Sequence, residues 1–215
     1  MTSQLYADSE RYWHALLSDF SSVLLTERVH APSASASICI TKSNSDFKHL
    51  ALERMKHEDI RLTLLYAWAV VLSRHAGTED VLVAEALPGI GLVPRRVQFA
   101  STPSPREQLS MQLAQDTIHA SAAWVVAKSM MKEGMHSVVE ILEEPALSLF
   151  SLDPGSHFRS YGMPLYLTLS YTPSRSFTFT LRFDPGVFDV QDMQYMLNHL
   201  VLAFEQLVVN PSLPV

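Results

Sequence analysis

The sequence lacks most of the features that would narrow its chemistry at a glance. One cysteine, Cys39, stands among 215 residues, so no internal disulfide can form and a reducing, intracellular compartment is expected. Met1 to Glu10 contain neither the basic stretch nor the apolar core of a secretory leader, which points to the cytoplasm. Positive charge is scarce as well. Against 16 Lys and Arg there are 22 Asp and Glu, a net charge of -6, so no overall field exists to attract a phosphate backbone or anionic lipid, and nucleic acid is not an expected partner. The most apolar stretch, Leu62 to Leu72, is far short of the roughly 20 residues a bilayer-crossing helix needs. It reads as a core helix, and no membrane partner is expected.

Catalytic signatures are missing too. None of the nine histidines sits in an H-E-x-x-H pattern or in Cys/His spacing that would hold zinc, so no metal ligand is nominated. No G-x-S-x-G elbow occurs, and Gly155-Ser156-His157 reads as a loop with turn residues. Gly89-Ile90-Gly91 is too short for a phosphate-binding fingerprint and opens no helix. His75 follows Arg74 near a helix end, where a partly cationic imidazole would favour the negative end of the helix dipole, and a capping role is the plainer expectation. His14, His119 and His199 fall within helices in structural positions, and Cys39 has only Lys42 as a basic neighbour, too little to favour a thiolate. Glu143 and Glu144 are read as adjacent residues at a helix end that point apart, not as an acid and base pair. No catalytic, cofactor-binding or metal-binding residue is accordingly nominated.

What is present is strong periodicity. Nearly half the residues (47%) are hydrophobic and 18% are charged, a composition able to fill the core of one domain. Trp13, Leu16, Leu17 and Phe20 recur at helical spacing behind a cap at Asp8 or Ser9. Ala34 to Thr41 alternate as a strand, and Phe47, Leu50 and Met55 suggest a short helix. Ile60 to Arg74 are apolar almost all round and end at Gly77, a helix that must be covered on most sides. Strands are expected over Asp80 to Leu87 and Val93 to Phe99, joined by a tight loop at Pro88 to Gly91 that could be functional.

Ser104, Pro105 and Glu107 form a capping box for a long helix running to about Ala127. After an interruption at Met130 to Gly134, a short helix through Glu144 is expected to stop at Pro145, followed by a strand over Ala146 to Leu152. Leu165 to Tyr171 and Phe177 to Phe183 alternate around a turn at Thr172 to Arg175, a hairpin. Asp189 caps a last helix whose apolar face is Met193, Met196, Leu197, Leu200, Phe204, Leu207 and Val208. The fold class is therefore α/β (α+β), a single layered mixed sheet flanked by helices on one or both faces.

In order along the chain, a series of segments resembles the second half of nonribosomal peptide synthetase condensation domains. Tyr12-Trp13 and Thr26-Glu27-Arg28 resemble the family's Tyr-Trp helix and the T-D-R after it. Leu62 to Gly77 with Glu79-Asp80-Val81 resembles A-x-x-L-x-R-Y-S-G-x-D-D-V, and Val93-Pro94-Arg95-Arg96-Val97 keeps part of a N-T-x-P-x-R-V run. Phe183-Asp184, Val187-Phe188-Asp189, His199, Phe204, Asn210-Pro211 and Leu213-Pro214-Val215 are similar to the family's closing Y-N-x-x-L-F-D, helix and N-P-x-x-P-V. The resemblance implies one lobe of chloramphenicol-acetyltransferase-like fold, with residues 1–215 a truncated condensation domain comprising the C-terminal lobe only.

The departures bear on function. The family's H-H-x-x-x-D-G motif is nowhere in the sequence, the N-T pair before Pro94 is missing, and His119 to Met131 keeps no P-F-E. The resemblance thus implies no amide-forming activity by this chain alone and no cofactor of its own, the phosphopantetheine arm being carried by carrier domains of the parent synthetase. It implies a structural platform packing on an adenylation domain that follows in the same polypeptide. Two other readings are half of an amide-forming enzyme completed by a lobe from elsewhere, and a carrier-domain docking module marked by a basic surface patch at Arg95 and Arg96. The plainer expectation for those two arginines is that they are edge or solvent-facing residues. The face that would have met the missing lobe should be polar or covered by self-association.

Overall fold

A computed structural model describes residues 3–20, 37–43, 55–130, 137–143, 163–172 and 177–211. Among these residues ten elements follow one another: α1 (Ser3–Leu17), β1 (Ile38–Ser43), α2 (His57–Ala76), β2 (Asp80–Leu87), β3 (Gly91–Gln98), α3 (Pro105–Met130), β4 (Ser137–Glu143), β5 (Leu165–Tyr171), β6 (Phe177–Phe183) and α4 (Val190–Val209). The six strands form one mixed sheet in the order β1-β6-β5-β4-β2-β3. Strand β4 runs parallel to both β2 and β5, and the remaining pairs are antiparallel.

Alternation along the strands divides the sheet into two faces, both carrying helices. On one, Leu165, Leu167 and Leu169 of β5 and Phe177, Phe179, Leu181 and Phe183 of β6 are buried against α2 and α4. Each such side chain contributes about 1.5–3 kcal/mol on leaving water, and Phe179 meets Phe204 of α4 edge to face at 5.3 Å. This explains why α2 is apolar all round: from Ile60 to Leu72 it packs against sheet, α4 and the start of α3. The opposite face is smaller, with Leu82, Ala84, Ala86, Val138 and Tyr166 lying under Trp13 and Leu17 of α1 and Ala122 and Ala123 of α3.

Local signals place the caps. Gly77 ends α2 in the left-handed region at φ 64, and Asp189 accepts from the backbone N–H of Gln191 at 2.7 Å to start α4. At α3 the capping box closes, Ser104 N donating to Glu107 Oε2 at 2.9 Å and Glu107 N to Ser104 Oγ at 3.4 Å. The Pro88 to Gly91 segment is the turn of the β2–β3 hairpin, tight because Gly89 (φ 75) and Gly91 (φ 106) take angles closed to other residues.

Two expectations fail. Residues 137–143 form a strand, not the helix read through Glu144: Val138, Val139 and Ile141 are β-branched, the first two pair in parallel with both β2 and β5 and Ile141 with β5, and tertiary pairing overrides a short ambiguous pattern. Glu143 thus ends a strand, and Glu144 lies outside the described residues. Helix α1 begins at Ser3, five residues or more before the expected cap. Asp8 instead accepts from Gln4 at 3.0 Å, and Ser9 is buried, donating to the Ile118 carbonyl of α3 at 3.3 Å. The expected helix at Phe47 to Leu50, the strand at Ala146 to Leu152, the Met130 to Gly134 interruption beyond its first residue, and Gly155-Ser156-His157 lie outside the described residues.

Candidate functional site

Strand β3 stands at one end of the sheet, where its outward N–H and C=O groups would ordinarily be exposed. Helix α3 runs along that edge and closes it with side-chain amides. Arg96 N donates to Gln112 Oε1 at 3.2 Å and Gln112 Nε2 to the Arg96 carbonyl at 2.6 Å, while Gln98 N donates to Gln108 Oε1 at 3.1 Å and Gln108 Nε2 to the Gln98 carbonyl at 2.9 Å. Two glutamines four apart on a helix thereby stand in for a neighbouring strand. Two residues before Arg96 is Pro94, which has no N–H to satisfy.

The same strand carries Arg95 and Arg96, and both are buried, at 0% and 4% exposed. They do lie on an edge strand, as expected, but neither faces solvent and they form no basic surface patch. Arg95 points to the α2 side, where its Nε donates to Glu85 Oε2 at 2.7 Å and Arg61 of α2 grips the same carboxylate from above. Arg96 points to the α1 side. Its Nε and Nη2 hold Asp80 at 2.9 and 2.6 Å, its Nη1 reaches the Leu16 carbonyl at 2.8 Å and also Asp19, and its guanidinium lies 5.7 Å from the centre of the Phe20 ring. The hydrogen bonds that Arg96 donates to Asp80 and Asp19 push its pKa upward, and the bond to Asp19 holds that carboxyl below its usual range. Neither Glu85 nor Asp19 was singled out from sequence. The available signal was an acid in the middle of an otherwise apolar strand, Asp80 to Leu87, which needs a buried cation.

Beside this network is a groove of about 350 Å³ lined by Tyr12, Leu16, Arg96, Gln98, Ser101, Thr102, Pro103, Gln108, Met111, Gln112 and Gln115. Its titratable lining groups are Tyr12 and Arg96, and the Arg96 charge is already spent on carboxylates. A cavity of this kind offers amide and apolar contacts, not proton transfer.

The histidines separate. His119 stacks on Tyr12 at 4.2 Å and brings Nδ1 within 3.4 Å of Ser9 Oγ, a structural position as expected. His14 is exposed. His75 and His199 are brought together from α2 and α4, Nε2 to Nδ1 at 3.2 Å. Burial, then the neighbouring His199, lowers the His75 pKa, against a smaller opposing pull from Asp192. The partly cationic His75 expected from the helix dipole is therefore corrected: its ring is held towards neutrality. Cys39 is exposed on β1. Among the described residues no group of three or more His, Cys, Asp or Glu could hold a metal ion, and no helix is long and apolar enough to cross a membrane.

No family model matches the sequence. The nonribosomal peptide synthetase nanA of Aspergillus nanangensis is 28% identical over 180 residues, covering 67% of this chain and 7% of that protein. Among solved structures, the starter condensation domain of rhizomide synthetase RzmA superposes with a TM-score of 0.68 at 15% identity, over 97% of this chain and 53% of that one. The chain has the condensation-domain fold. The condensation domain of the monacolin K polyketide synthase MokA matches equally, with a TM-score of 0.67 at 16% identity over 98% of this chain and 58% of that one. So does the X-domain of teicoplanin biosynthesis, solved in complex with OxyB, with a TM-score of 0.70 at 14% identity over 96% of this chain and 54% of that one. The chain spans a little over half the length of these solved structures.

Proposed function

We propose that this condensation-type lobe is catalytically incomplete and acts as a structural platform within a peptide synthetase, packing on an adenylation domain that follows in the same polypeptide. The observation that carries this reading is how the lobe spends its charges. Arg61, Arg95, Glu85, Arg96 and Asp80 close on one another inside the fold, whereas α4 leaves apolar Tyr195, Leu202 and Val209 exposed at 50%, 52% and 69%. A surface built this way suits packing against a neighbour better than handling a charged substrate. H-H-x-x-x-D-G does not occur in these 215 residues, so this chain alone holds neither the family's placed base nor the second set of groups that would orient donor and acceptor. The X-domain's complex with OxyB adds support, since there too the fold meets another protein. On this reading the lobe works in the cytoplasm with no cofactor of its own, and phosphopantetheine belongs to carrier domains of the parent. The burial of Arg95 and Arg96 takes away the feature that would have favoured carrier docking.

Two measurements test this. With donor and acceptor loaded on carrier domains, this chain is expected to give no amide product above background, and amide formation by the chain alone would sink the platform reading. Immunodetection in the producing cell is expected to find the segment within a very large polypeptide, and a stand-alone species near 24.1 kDa would argue for a separate complementing subunit.

A further inference from the structure

We propose that the outer face of α3 is a self-association surface, on which a second copy of this chain docks with the two α3 helices antiparallel about a two-fold axis. The side of α3 turned inward is buried at Leu109, Gln112, Ala122 and Ala123. The outward side leaves Met111, Ile118 and Val125 exposed at 54%, 49% and 51%. These three are seven residues apart, so each step drifts by only about 20° around the helix and they line up along roughly 21 Å. Glu107 and Lys128, both exposed, flank the row at its two ends, and the whole set falls within a strip about 100° wide at about 100° per residue.

With the small Ser110, Ala114 and Ser121 set between them in sequence, the charged and large apolar residues of the strip run in the order acid, three apolar, base. Turned end for end about Ile118, it meets its own complement: Met111 faces Val125 of the copy, Ile118 faces Ile118, and Glu107 at either end comes within one residue's rise, about 1.5 Å, of the level of Lys128. An isologous interface requires this match of one patch to itself. Charge also selects the direction, because a parallel arrangement would set Glu107 against Glu107 and Lys128 against Lys128. Glu107 is reliably anionic, since the bonds from Ser104 hold its carboxyl below the usual range. The exposed stripe on α4 has the same spacing but lacks this property: the charged residues beside it, Asp192 and Glu205, are both acids, and the helix has no Lys or Arg to answer them.

One helix pair buries less than the roughly 800 Å² per partner of a stable complex, so the dimer should be weak, with a Kd on the order of tens of micromolar. The test is sedimentation equilibrium of the full chain from about 1 to about 500 µM, at low and high salt. A concentration-dependent dimer is expected. Ile118→Asp, on the axis, should weaken it about 100-fold, and Ile118→Gln serves the same purpose if circular dichroism shows the first variant misfolded. Lys128→Glu should weaken it about 10-fold; salt should weaken the wild-type dimer and strengthen the Lys128→Glu one. Leu202→Asp on α4 should leave association unchanged. A chain that stays monomeric throughout, a dimer that survives the change at Ile118, or one lost through Leu202→Asp overturns the proposal. The outcome is independent of the platform reading, whose tests do not involve α3.

Discussion

Arg95 and Arg96 are successive residues of β3, yet the pleat sends one beneath α2 and the other beneath α1, and the two faces of the sheet treat the same guanidinium differently. Under α2 the Arg95 side chain is fully buried and shares Glu85 with Arg61, with a carboxylate only 2% exposed. Under α1 the Arg96 side chain is 5% exposed, but its partners grade outward, from Asp80 at 25% to Asp19 at 75%. On the larger face charge is sealed inside a core already filled with aromatics. On the smaller face it works as a strap that ties the end of α1 to the sheet and finishes in solvent. The contrast teaches that the worth of an ion pair here is set by how completely its weaker-held partner leaves water.

The largest effect should come from Glu85→Ala, which strands Arg95 in the core without its counter-charge and should cost about 3–5 kcal/mol in a urea unfolding titration. Replacing the pair together, Glu85→Leu with Arg95→Met, should recover most of that loss. If the single variant loses under about 1 kcal/mol, the sealed pair is worth no more than a surface one and the contrast collapses. Next comes Gln112→Leu, which leaves the N–H and C=O of Arg96 unpaired at the covered edge and should cost about 1–3 kcal/mol.

A pH series sharpens the comparison on the α2 and α4 side. The His75 pKa lies below its unfolded value, so the unfolded chain takes up the proton first and stability falls as pH drops below about 6.5. Above that value His75 contributes nothing to the slope. His75→Gln should flatten this part of the profile, with His199, Asp192 and Arg74 the charged or titratable neighbours left in place. Asp19→Asn, at the exposed end of the Arg96 strap, should give the smallest change, with a melting temperature indistinguishable from wild type at physiological salt. A clear loss there would mean that the outer partner carries the strap.

What sequence revealed and what it hid divide along the same physical line. Caps and periodic faces were legible because their partners are a few residues away: Ser104 with Glu107, Asp189 with Gln191, Gly77 at the end of α2, and the alternation from Leu165 to Phe183. Strand β4 was not, since seven residues with Glu140 and Glu143 interspersed become a strand only when β2 and β5 flank them. The fate of the arginines was hidden for a similar reason, the Asp19 partner of Arg96 being 77 residues distant. Resemblance supplied the fold, and the comparisons agree with it. It could not show that the R-V remnant of the family's motif is internal structure and not surface.

The amides of Gln108 and Gln112 have a consequence for how this lobe can be extended. A sheet normally offers two ends for growth, and here α3 occupies one of them from within the chain. Among the described strands, β1 is left as the end at which another strand could add. A graft, a split-protein fusion or an added strand designed onto this lobe should therefore be placed on the β1 side, because at β3 it would first have to evict a helix.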